Sequence, residues 1–137
     1  MWQHLRLTLG ANWRPQRHED RQIGPGVPDV SFVMRRLRPC ETGWLELKRV
    51  NKLDDKNNVI GHFTSAQEQW LLEHFGLGIP VFLLLLSDAD NLWLWFEGDN
   101  IGRVQGSSKH RLTGMADFTG IGHGIIDFLV STTAKDR

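Results

Sequence analysis

The run Val81-Phe-Leu-Leu-Leu-Leu86 constrains the fold more than any other stretch. Its length is that of a strand. Side chains of a strand alternate between the two faces of a sheet, so an unbroken apolar run must be covered on both. The chain is therefore expected to build a central sheet with material packed on each side. Pro80 suits the entry to such a strand, where a missing N–H is tolerated. The run is also far too short to cross a membrane, which takes roughly 20 apolar residues.

The flanking segments supply the other layers. Trp2, Leu5 and Leu9 share one face of a short expected helix. Trp13 to Gln22 is polar and has no clear periodicity. Gly24-Pro25-Gly26 signals a turn, and Val27 to Met34 reads as a strand. Arg35 to Gly43 reads as a hairpin connection. Trp44 to Val50 is the next strand, with Trp44, Glu46, Lys48 and Val50 on one face and Leu45, Leu47 and Arg49 on the other. After a polar loop, Thr64 or Ser65 can cap a helix, with Gln67 or Glu68 completing a capping box. That helix should run to about Phe75 and end at Gly76 or Gly78. Ser87 to Asn91 reads as a turn, and Leu92 to Phe96 as a strand antiparallel to the apolar run. Ile121 to Val130 is an expected last helix. The sum is one mixed α/β domain over 1–137, with a core at about 17–97 and a loosely defined tail at 98–137.

The composition excludes several classes. Apolar residues make up 40% and charged residues 23% of the 137 residues, which fits a folded, soluble domain rather than a disordered chain. Cys40 has no cysteine to pair with, and the N-terminus lacks the pattern of a secretory signal. Both point to a cytoplasmic setting, in a host cell if the protein is viral. The formal net charge is zero, but residues 1–50 carry nine Lys/Arg against five Asp/Glu. A cation neutralising Glu19, Asp29 and Glu46 among those acids would leave the surface around them strongly positive, set against the blander reading that uneven charge is ordinary.

The chemistry centres on Asp29, Glu46 and Lys48. Asp29 stands near the start of one expected strand, and Glu46 and Lys48 share a face of the next. Two convergent carboxylates repel unless a proton or cation lies between them. Hard oxygen donors suit Mg²⁺ or Mn²⁺. Such an ion activates water and offsets charge on a phosphate under in-line attack. Lys48 would then orient or deprotonate the water, or stabilise the transition state as a cation. Taken alone, Glu-x-Lys is usually an exposed strand face, and Pro-Asp after glycine is usually a turn. Their order and spacing carry the argument.

Gly26-Val-Pro-Asp-Val30, Trp44-Leu-Glu-Leu-Lys48, Thr64-Ser-Ala-Gln67 with Trp70, and Gly78-Ile-Pro-Val-Phe-Leu-Leu-Leu-Leu86 resemble the PD-(D/E)XK nuclease superfamily. Within it they look like the small VRR-NUC group and related phage proteins. The resemblance covers about residues 17–97. It implies a restriction-endonuclease-like core, a central mixed β-sheet flanked by helices. It further implies Mg²⁺ or Mn²⁺ as cofactor and DNA as partner, with hydrolysis of phosphodiester bonds. Small relatives include homodimeric Holliday-junction resolvases, so a homodimer acting on branched DNA in replication, repair or recombination is the expected form. Asp29 matches the PD acid, Glu46 and Lys48 the (D/E)XK pair, and Gln67 the glutamine of the helix motif. The main-chain carbonyl of Leu47 would also face the metal. Glu19 is the candidate for the upstream acid, ahead of Asp20.

Arg35, Arg36 and Arg38, and separately Lys109 and Arg111, are candidate phosphate contacts, set against the blander reading of solvated surface. The six histidines show no zinc spacing. His62 is a minor candidate for the site. Trp93 and Trp95 alternate with leucines and read as core or dimer surface rather than a base-stacking platform. Two rival functions stand beside the nuclease. One is a non-catalytic nucleic-acid-binding domain of the same fold. The other is an unrelated interaction domain with exposed strand charges.

Overall fold

The computed structural model describes residues 13–17, 30–34, 41–50, 52–53 and 63–120. The expected helix at Trp2–Leu9, the acids Glu19, Asp20 and Asp29, the basic residues Arg35, Arg36 and Arg38, His62 and the expected helix at Ile121–Val130 lie outside the described residues.

Among the described residues six strands form one sheet in chain order: β1 (Trp13–Arg17), β2 (Val30–Met34), β3 (Glu41–Val50), β4 (Val81–Ser87), β5 (Leu92–Glu97) and β6 (Phe118–Gly120). The β3–β4 pair is parallel and the other four are antiparallel. Parallel neighbours need a crossover, and helix α1 (Ser65–Gly76) supplies it. A 3-10 turn (Gly98–Arg103) and the short helix α2 (Lys109–Met115) follow β5.

The apolar run behaves as its composition requires, with every residue of β4 buried. Val81, Leu83 and Leu85 pack with Leu71 of α1, and Leu53, Phe63, Leu94, Phe96, Ile101, Val104 and Leu112 belong to the same core. On the opposite face Phe82 stacks on Trp95 at a ring distance of 4.9 Å. Trp93 and Trp95 are buried, so both indoles are core residues.

Three local readings are revised. Residues 13–17, unassigned from sequence, form β1. Pro15 is tolerated there because β1, among the described residues, lies at the edge of the sheet and pairs with β2 alone. β3 begins at Glu41 rather than Trp44, since the antiparallel register carries it through Gly43 opposite Phe32. The segment after Glu97 holds the 3-10 turn, α2 and β6. These elements are too short for sequence periodicity to mark.

Candidate active site on the third strand

Glu46 sits midway along β3, on the face that meets α1. Its residue is 0% exposed. A carboxylate in that position is costly unless it is paired and hydrogen-bonded. Two partners converge on one of its oxygens. Lys48 Nζ lies 3.1 Å from Glu46 Oε1. Gln67 Nε2 donates to the same oxygen at 3.1 Å. The period-two geometry of the strand brings Lys48 to the same face, with its side chain 12% exposed at the margin of the site.

The start of α1 fixes Gln67. Thr64 is the N-cap, and its hydroxyl accepts from the Gln67 backbone N–H at 3.2 Å. In return Gln67 Oε1 accepts from the Thr64 backbone N–H at 3.0 Å. This reciprocal capping box occupies the carbonyl end of the Gln67 amide, so its NH₂ end faces Glu46. The same short motif therefore starts the helix and orients a site residue.

The seam between β3 and α1 continues away from Glu46 as an aromatic row. Trp44 meets Trp70 edge-on, with centroids 5.2 Å apart. Trp70 stacks on His74 at 3.5 Å. His74 Nδ1 lies 2.7 Å from the Trp70 carbonyl, which fixes that nitrogen as the protonated donor. Nothing in the motif reading singled out His74. Its spacing of four from Trp70 on a helix was the available signal.

The far end of β3 is clamped by the β4–β5 turn. Arg49 Nε donates to both carboxylate oxygens of Asp88, at 2.9 and 2.8 Å. The Asp88 N–H donates to the Val50 carbonyl at 2.9 Å. Asp90 accepts from Ser87 Oγ at 2.6 Å, from the Leu53 N–H at 3.3 Å and from Lys109 Nζ at 2.8 Å. The hydrogen bond from Lys109, followed by those from Ser87 and Leu53, holds the Asp90 carboxyl down at about 2. This turn read from sequence only as a turn, and its two acids were not recognised as anchors.

Of the expected site residues, the structure brings Glu46, Lys48 and Gln67 together. Leu47 lies between the first two and pairs with Leu84. Lys109 and Arg111 belong to the first turn of α2, which Ser108 caps by accepting from the Arg111 N–H at 3.3 Å. The Lys109 ammonium is engaged by Asp90 there, and Arg111 is exposed. Among the described residues no three His, Cys, Asp or Glu side chains gather to hold a metal. The described donor, the buried carboxylate of Glu46, has the hard-oxygen chemistry that fits Mg²⁺ or Mn²⁺.

No helix among the described residues is long and apolar enough to cross a membrane. Neither a protein-family model nor a curated protein matches the chain. Among solved structures, it is similar to Hjc of Archaeoglobus fulgidus, a Holliday junction resolvase from an archaeal hyperthermophile. The TM-score is 0.54 at 14% identity, over 81% of this chain and 88% of that one. At that identity the likeness is one of architecture, and the fold of this chain is restriction-endonuclease-like, a mixed sheet flanked by helices.

Proposed function

We propose that the chain is a divalent-cation-dependent DNA endonuclease whose preferred substrate is branched or junction DNA. The observation that carries this reading is the convergence of Lys48 and Gln67 on the wholly buried Glu46. An ordinary surface Glu-x-Lys would leave its carboxylate in water. The architecture shared with a Holliday junction resolvase supports the choice of substrate. The ordered motifs side with the VRR-NUC group.

In this reading Glu46 and the Leu47 carbonyl would hold Mg²⁺ or Mn²⁺, which lowers the pKa of bound water and offsets charge on the phosphate. Asp29 is the proposed second carboxylate. It precedes Val30 in sequence, and Val30 pairs with Leu45, the residue before Glu46. Glu19 is the proposed upstream acid. Gln67 keeps the Glu46 carboxylate in one orientation. Lys48 places a cation where it can orient the attacking water or the phosphate. Arg35, Arg36, Arg38 and Arg111 are proposed to position the backbone of the DNA without reading its sequence, whereas the Lys109 ammonium is taken up by Asp90. Two copies of the chain would act on paired strands.

The test is cleavage by the purified protein, with Mg²⁺ or Mn²⁺, of linear duplex, single-stranded, flap and four-way-junction DNA side by side. The expected result is metal-dependent nicking, strongest on the junction. Salt-sensitive DNA binding with no cleavage under any of these conditions would leave the non-catalytic reading in its place.

A further inference from the structure

Two donors share Glu46 Oε1, and they differ in how they are held. The Gln67 amide is locked from behind by the Thr64 capping box, at 3.0 and 3.2 Å. Lys48 reaches the same oxygen from its own strand at 3.1 Å, on a stem of four methylenes, with its side chain 12% exposed. Lysine is a compact point charge on a flexible stem, with no preferred planar fork. Gln67 is thus the fixed donor and Lys48 the movable one. Lys48 also brings the full positive charge, and a divalent cation bound by Glu46 must compete with that charge.

We infer that Lys48 is the exchangeable counter-cation of Glu46. It neutralises the buried carboxylate, yields that oxygen to a divalent cation, and is thereby released toward the phosphate. The inference rests on the proposed nuclease reading and adds to it an order of events: the lysine is delivered by the same exchange that loads the site. It also fixes the sign of an effect. Removing the ammonium should tighten cation binding, whereas a purely structural ion pair, once broken, would loosen the site and weaken it.

The experiment measures Mn²⁺ binding in the absence of DNA, from the spectrum of the free ion, for wild type, Lys48→Met, Lys48→Gln, Lys48→Arg and Glu46→Gln. Lys48→Gln keeps a donor near Glu46 without the charge, and guards against misfolding of the methionine variant. Thermal unfolding with and without Mn²⁺ is recorded alongside. Lys48→Met and Lys48→Gln should bind about tenfold tighter or better, since like charge in a partly buried site is worth at least one such factor. Both should gain more thermal stability from Mn²⁺ than wild type does. Lys48→Arg should bind like wild type, and Glu46→Gln should lose binding. Unchanged or weaker affinity in both uncharged variants, beside a wild type that binds Mn²⁺ and cleaves DNA, sinks the exchange and spares the nuclease reading. If neither wild type nor the lysine variants bind Mn²⁺, the nuclease reading fails and the exchange with it.

Discussion

Gln67 reaches Glu46 across the seam between helix and strand, its Nε2 3.1 Å from Glu46 Oε1, while its other amide atom belongs to the cap of the helix. A single side chain therefore couples the start of α1 to the state of a buried carboxylate. Substitutions that respect one of these tasks and violate the other separate them.

Gln67→Glu preserves the capping box, because glutamate serves at that position as well as glutamine. It sets an acceptor against the Glu46 carboxylate where a donor stood. The expected cost is about 1–3 kcal/mol at neutral pH, the range for leaving a buried polar group unsatisfied. Gln67→Ala loses both tasks. Urea unfolding of the two variants measures this. A Gln67→Glu protein as stable as wild type would mean that the amide does not donate to Glu46.

Activity gives a second expectation. Asp29→Ala, Glu46→Ala and Lys48→Ala should each lower metal-dependent cleavage by at least about 100-fold, the lower end for losing an acid–base or electrostatic group. Circular dichroism should report the fold retained. Full cleavage by Lys48→Ala would remove that residue from the catalytic set.

Asp90 predicts a dependence on pH. Its folded carboxyl is held at about 2, below the ordinary value of 3.8, chiefly by Lys109 and then by Ser87 and Leu53. A depressed carboxylate contributes stability that is whole above the unfolded value and is lost as pH falls through the folded one. The contribution should therefore fade between about pH 4 and about pH 2. Asp88, lowered by Arg49, acts in the same direction. Asp90→Asn should remove only its own share of the slope. Equilibrium unfolding of both proteins across this window checks it, and identical slopes would show that the Lys109 pair does not set the carboxyl.

Much of this organisation was legible in the sequence. The composition of Val81–Leu86 specified a strand buried on both faces, and the period of two placed Trp44, Glu46 and Lys48 on one face of their strand, which the fold turns toward the helix. A capping box was legible as either Thr64-x-x-Gln67 or Ser65-x-x-Glu68, because its chemistry is local, and the fold uses the first. Contacts between residues distant in sequence were not legible. Lys109 looked like a free basic residue because its partner Asp90 is 19 positions away and is brought near only by the fold. β1 escaped because an edge strand with Pro15 shows no alternation. β6, with three residues, is defined by pairing with β5 rather than by any pattern of its own.

Gly98 supplies the last expectation. The chain turns there from β5 into the 3-10 helix with φ at +52°, a region that only glycine enters freely. A β-carbon at this position would also stand 2.6 Å from Phe75 Cε1 and 2.7 Å from Cζ, at the end of α1. Two costs are therefore superposed in Gly98→Ala. The backbone share is about 1–2 kcal/mol, the penalty of a left-handed residue with a side chain. The steric share depends on the Phe75 ring, which is 39% exposed and can swing outward. Chemical denaturation of Gly98→Ala in the wild-type and Phe75→Ala backgrounds separates the two. The cost should be smaller in the Phe75→Ala background but should not vanish, since the backbone angle remains. An equal cost in both backgrounds would show that the ring yields freely, and no cost in either would refute the left-handed turn at Gly98.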